Sequence, residues 1–151
     1  MESVAPQIKR IVGIDTGSNT GVAVYEIGTG FVDIQTLKIH NALFHANQYN
    51  RVETFFIVED ARMRKYFGKD FNIVKLQGAG SIKRDSTIWD DFLSDTLSQY
   101  SLVSPAVLAP YTKLHNTTVF RNLTKWEGKT SIHARDAAYL VLYGLNNWNK
   151  L

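Results

Sequence analysis

Apolar residues gather over positions 8–14 and become nearly continuous at Ile11-Val12-Gly13-Ile14, the pattern of a strand covered on both faces. A second apolar run follows over 21–27. Gly28-Thr29-Gly30 then reverses the chain, and apolar residues alternate with polar ones over 31–39. This pattern predicts a three-stranded antiparallel meander. Asn41 is placed to cap a helix reaching about Arg51, and residues 54–59 return as a strand. A strand reached through a helical crossover is expected to lie parallel to the first.

Past Glu59 the segment 60–68 has neither a strand nor a long-helix pattern and reads as a loop or a short helical turn. Gly78-Ala79-Gly80 reads as a break in the chain. A helix is predicted over 86–100, with Ile88, Trp89, Phe92, Leu93, Thr96 and Leu97 on one broad apolar face. Residues 102–108 form a weaker strand that Pro105 assigns to an edge or a bend. Residues 119–126 read as a short helix or loop. Ser131 caps a last helix that carries Ala137, Leu140, Val141, Gly144, Leu145 and Trp148 inward. The order gives an α/β chain with a five-stranded mixed sheet, three antiparallel strands followed by two parallel ones, flanked by helices. With 151 residues and no repeat, linker or low-complexity tract, a single domain over 1–151 is expected.

Composition narrows the class. A hydrophobic share of 44% with only three prolines suits a packed domain rather than a disordered one. No apolar stretch is long enough to span a bilayer, and Met1 to Pro6 lack a signal-peptide layout, so a cytoplasmic chain with no membrane partner is expected. The absence of cysteine excludes disulfides and thiolate metal sites. A net charge of +3 does not by itself identify a polyanion binder, but its distribution is informative. Arg62, Arg64, Lys65 and Lys69 follow Glu59, Lys83-Arg84 precede a helix, and Arg121, Lys125, Lys129 and Arg135 lead into Asp136. A solvated face accounts for any one cluster. Three clusters flanking acidic positions favour a phosphate backbone drawn to those acids.

The acids themselves carry the chemistry. Asp15 ends the first apolar run, Glu59 closes Phe55-Phe56-Ile57-Val58, and Asp136 stands in His133-Ala134-Arg135-Asp136 at the head of the last helix. A carboxylate at the end of a buried strand is costly unless it is paired, solvated or holding a cation. Three of them on separate elements suggest a site for Mg²⁺ or Mn²⁺, because hard cations take oxygen ligands. His133 and Asp136 are three residues apart on one helix, so they share a face. Simpler readings stand beside these. Asp15 suits a turn residue, Glu59 an exposed strand-end acid, Asp136 a first-turn acid favoured by the helix dipole, and His133 a helix cap. Tyr66 and Phe67, inside the basic segment after Glu59, suit either base stacking or anchoring of a loop.

Ile14-Asp15-Thr16-Gly17 with Thr20-Gly21, Val58-Glu59 at the end of the fourth strand, and His133-Ala134-Arg135-Asp136-Ala137-Ala138 resemble the RuvC-type Holliday-junction resolvases, particularly the small phage forms, and the element order resembles the ribonuclease H-like layout. The resemblance implies a magnesium-dependent endonuclease acting on four-way or branched DNA, in the cytosol of a phage's bacterial host. It implies two Mg²⁺ ions, replaceable by Mn²⁺, with Asp15 bridging them, Glu59 holding one and Asp136 the other. His133 shares the second ion, at a position where much of the family has aspartate. Arg62, Arg64, Lys65, Tyr66, Phe67, Lys83 and Arg84 are then expected to meet DNA. Two opposed cuts call for a two-fold homodimer, with the helix over 86–100 as its interface. A nuclease cutting RNA–DNA hybrids, or a non-catalytic nucleic-acid-binding domain of the same fold, are the alternatives.

Overall fold

In the computed structural model, residues 7–64, 73–112 and 116–151 are described, with side chains from residue 80 onward in the second segment. The chain runs β1 (Arg10–Asp15), β2 (Asn19–Glu26), β3 (Gly30–Lys38), α1 (Ile39–Ala46), β4 (Thr54–Glu59), α2 (Ile73–Asp95), β5 (Gln99–Val103), α3 (Ala109–Thr112), α4 (Thr117–Thr124) and α5 (Ile132–Asn146). Short 3₁₀ turns occur at Ala61–Met63, Pro105–Leu108 and Trp148–Lys150. The strands form one sheet in the order β3-β2-β1-β4-β5. β1 is antiparallel to β2, β2 to β3, while β4 is parallel to both β1 and β5. The predicted mixed sheet is therefore present, with β1 at its centre.

β1 is apolar at consecutive positions because both faces of the sheet are covered. On one face Val12, Ile14, Val22, Val24, Phe56 and Val58 pack with Ala42 and Ala46 of α1 and Trp89 and Leu93 of α2. On the other, Ile11, Ala23, Ile34 and Ile57 meet Ala134, Ala137, Ala138, Leu140 and Val141 of α5, together with Phe120 of α4. Each large side chain buried this way contributes about 1.5–3 kcal/mol. The small residues of α5 let its backbone lie close on β1 and β2, and two glycines complete the approach. A Cβ on Gly13 would come within 2.0 Å of the Ala137 carbonyl oxygen, and one on Gly21 within 1.9 Å of the His133 oxygen.

Several boundaries differ from expectation. Asn41 does not cap α1, which starts at Ile39 directly from β3 after an extended Lys38. The amide of Ile39 donates instead to the carbonyl of Ser18 at 3.1 Å, so the β1–β2 loop satisfies the helix start, and the helix ends at Ala46 rather than near Arg51. Gly78-Ala79-Gly80 lies inside α2, a 23-residue helix that absorbs the cost of about 1 kcal/mol per glycine. α2 also stops at Asp95, where Leu97 takes a positive φ of 56° and the Ser98 amide donates back to the Leu93 carbonyl at 2.9 Å. Leu97 is consequently exposed, and Tyr100 belongs to β5. β5 is the expected edge strand but begins at Gln99, and Pro105 opens a 3₁₀ turn capped by Ser104. Leu145 and Trp148 are partly exposed rather than inward, Trp148 lying edge-on to Phe55.

Candidate active site

Asp15 and Glu59 are the last residues of adjacent parallel strands, whose register pairs Ile14 with Val58 one step earlier. Both carboxyl groups therefore emerge at the same edge of the sheet. α5 reaches that edge because Ser131 caps it, its Oγ accepting from the Ala134 amide at 3.1 Å, and because Gly21 lets the His133 backbone rest on β2. His133 Nδ1 lies 2.9 Å from Asp15 Oδ2. His133 is thus not the cap of α5; its ring is hydrogen-bonded to the first acid. One turn along the same face, Asp136 is near enough for its charge to raise both acids.

Burial dominates the electrostatics. Asp15 and Glu59 are 6% and 7% exposed, and desolvation pushes Asp15 up from 3.8 to about 7 and Glu59 from 4.5 to about 8. The two are hydrogen-bonded to each other, which favours ionised Asp15 and protonated Glu59. They share a proton in the neutral range, with Glu59 as the donor. Arg64 opposes the shift, its Nη2 lying 3.7 Å from Glu59 Oε1. Arg64 also lines an open hollow of about 560 Å³ with Met63, Ser104, Pro105 and Ala106.

The donor chemistry fits a hard divalent cation: three carboxylates and an imidazole come from three elements, and two of the acids are poorly matched by protein cations. Asp15, Glu59, Asp136 and His133 are the residues that would hold it. Among the described residues no group of three or more His, Asp or Glu side chains is already assembled around a common ion position.

No protein-family model and no curated protein matches this chain. A solved structure of T. thermophilus RuvC in complex with Holliday junction substrate superposes with a TM-score of 0.57, covering 91% of this chain and 94% of that one at 12% identity. The fold is ribonuclease H-like.

The basic residues expected to meet DNA have different surroundings. Arg62 is exposed but engaged by carboxylates: its guanidinium donates to Asp60 at 2.8–3.1 Å and to Asp90 at 2.9 Å, and Asp90 also accepts from the Tyr100 hydroxyl at 2.7 Å. Asp60, 2% exposed, is paired by it. Arg64 borders the acids, whereas Lys83 and Arg84 lie on α2, where Arg84 is largely exposed beside Asp85 at 3.8 Å. Lys65, Tyr66 and Phe67, with Lys69, lie outside the described residues. Among the described residues no helix is long and apolar enough to cross a membrane.

Two residues in the site were not singled out by their chemistry in the sequence. Thr16 Oγ1 donates to the Glu59 carbonyl at 3.0 Å and sits 3.0 Å from Ser86 Oγ, and Ser86 Oγ accepts from the Ala61 amide at 3.1 Å. The available signal was a threonine between an apolar strand and a glycine, a position where an unpartnered hydroxyl is costly.

Proposed function

We propose that this protein is a metal-dependent, structure-selective endodeoxyribonuclease that cuts four-way or other branched DNA as a two-fold dimer, using Mg²⁺ or Mn²⁺ held by Asp15, Glu59, Asp136 and His133. The observation that supports the reading is that Asp15 and Glu59 leave adjacent strands at one sheet edge, hydrogen-bonded to each other, with His133 of α5 2.9 Å from Asp15 and the two carboxyls raised to about 7 and 8. Acids so raised gain most from a cation, which replaces the shared proton and relieves their repulsion. When bound, a pair of such ions supplies a nucleophilic water and stabilises the leaving oxygen. Asp15, fixed by His133, orients the site from the central strand. Glu59 would exchange its proton, released to solvent, for the cation, and Arg64, 3.7 Å from it, would lie beside a phosphate held there.

Junction selectivity and the dimer come from the resemblance to resolvases and from the need for two opposed cuts. Trp89 and Leu93 of α2 are buried in the chain's own core, so a dimer through this helix would use its outer residues Ile82 and Ile88. The test is end-labelled four-way junction, matched linear duplex and RNA–DNA hybrid, each incubated with and without Mg²⁺ or Mn²⁺. Paired nicks in the junction that depend on the cation are expected. Preference for the hybrid, or no cleavage of any substrate with either metal, would sink the reading.

A further inference from the structure

The sequence pairs Asp15 with a threonine, and Thr16 is 7% exposed while its partner Ser86 on α2 is 1% exposed. The direction of each hydrogen bond follows from proton supply. The Ala61 amide can only donate, so Ser86 Oγ accepts there at 3.1 Å; the Thr16 proton goes to the Glu59 carbonyl at 3.0 Å; the Ser86 proton is left for Thr16 Oγ1 at 3.0 Å. The relay grips the backbone of β4 on both sides of Asp60, at the carbonyl that follows the Glu59 Cα and at the next amide but one. One turn further along α2, Asp90 holds Arg62, which also pairs Asp60.

Thr16 is covalently adjacent to one acid and hydrogen-bonded to the backbone of the other. We infer that Thr16 and Ser86 form a buried hydroxyl clamp that sets the separation and orientation of the Asp15 and Glu59 carboxyls for cation binding, so that both act as positioning residues for the site. Packing alone does not require this pair. Valine has nearly the shape of threonine and would fill the space without a polar group to satisfy, and alanine at position 86 would leave the helix intact. The hydroxyls earn their place by fixing the main chain of residues 59–61, and with it the direction in which Glu59 leaves the strand.

This inference rests on the metal-site reading, and the experiment separates the two. Full-length wild type, Thr16→Val, Thr16→Ser, Ser86→Ala and the Thr16→Val/Ser86→Ala double variant are titrated with Mn²⁺ alone by calorimetry, with thermal unfolding and junction cleavage alongside. Thr16→Val and Ser86→Ala should each weaken Mn²⁺ binding about tenfold, the effect of one lost buried hydrogen bond on the geometry it held. Thr16→Ser, which keeps the hydroxyl, should stay near wild type. The double variant should be little worse than the weaker single one, because both residues belong to one relay. Cleavage at saturating Mn²⁺ should fall in kcat with the KM for DNA unchanged.

Wild-type Mn²⁺ affinity in Thr16→Val, whatever its melting temperature, would overturn the clamp and leave the nuclease reading standing. Losses that multiply to about a hundredfold in the double variant would also overturn it, since they would mark two independent residues. A wild type that neither binds Mn²⁺ nor cuts DNA would instead sink the nuclease reading and the clamp with it. Should Thr16→Val fail to fold, Ser86→Ala and Thr16→Ser carry the comparison.

Discussion

Replacing Glu59 by glutamine should stabilise the metal-free protein, and by an amount that grows with pH. Glutamine keeps the shape and a hydrogen-bond donor toward Asp15 but cannot ionise. In the folded chain Glu59 titrates near 8, against 4.5 when free. Below pH 4.5 the acid is neutral in both folded and unfolded states, so the variant and the wild type should be nearly equal there. Between pH 4.5 and 8 the unfolded chain loses this proton while the folded chain keeps it, so wild-type stability falls as pH rises. Taken alone, the full shift corresponds to about 5 kcal/mol at 1.36 kcal/mol per pH unit. Because Asp15 and Glu59 share the proton, their shifts overlap, and about 2–3 kcal/mol is the difference to expect at pH 8.5. For a chain of this length that is about 5–10 °C in melting temperature.

The assay is thermal unfolding of both proteins from pH 4 to 9 in chelator, repeated with 10 mM-scale Mg²⁺, a roughly saturating level for a weak carboxylate site. In the metal-containing series the wild type should recover its loss above pH 7, because the cation takes the proton's place, and Glu59→Gln should recover less. A gap that stays flat from pH 5 to 8.5, or a variant less stable than wild type at pH 8.5, would refute the account of a buried acid pair.

The remaining outcomes follow from the same geometry. Asp15→Asn and Asp136→Asn should abolish junction cleavage while gel-shift affinity in Ca²⁺ is largely kept; full activity in either would remove that residue from the site. His133→Ala should lower cleavage strongly and His133→Asp should retain it with a changed Mg²⁺ to Mn²⁺ preference, whereas an active alanine variant would reduce His133 to a packing role. Gly21→Ala should destabilise by about 3 kcal/mol, seen in denaturant melts, because its Cβ would collide with the His133 carbonyl and push α5 off the sheet. Arg62→Ala should cost about 1–2 kcal/mol of stability by leaving buried Asp60 with only the residue-62 backbone amide as partner, with little effect on junction affinity. Arg64→Ala should do the reverse, reducing the salt dependence of junction binding by about one slope unit; equal effects on affinity from both would show that Arg62 leaves its carboxylates to bind DNA.

The central sheet is legible in the sequence because β1 and β4 are covered on both faces, which turns an ambiguous alternation into short continuous apolar runs ending in an acid. β4 is bounded by Thr54 and Glu59 as the pattern predicts. β5 is not, because Gln99-Tyr100-Ser101 at the sheet edge is only half-buried and resembles the end of the preceding helix. The helix boundary was hidden by Leu97, a side chain that fits the apolar face by spacing but sits at a left-handed chain reversal. Within the candidate site, Asp15 and Glu59 can be read from where acids end apolar runs, and His133 and Asp136 from their spacing on the last helix. Arg62 cannot be told from Arg64 by its neighbours in sequence, since one of its partners, Asp90, is 28 residues away. Thr16 and Ser86 are separated by 70 residues and are small hydroxyls of a kind found everywhere, so only the fold makes them a pair.

On the proposed reading, the arrangement of charge would tie cation binding to DNA binding. Without a cation the sheet edge presents Asp15, Glu59 and Asp136, opposed near at hand by Arg64, and Arg62 is committed to Asp60 and Asp90. A phosphate entering that edge meets repulsion that the modest net charge of +3 does little to offset. On the proposed nuclease reading, a divalent cation would reverse the local sign and displace the shared proton to solvent, so a single event would make the edge attractive to phosphate and supply the ion. Binding of DNA and loading of metal would then be linked equilibria, each raising the affinity of the other by the same factor.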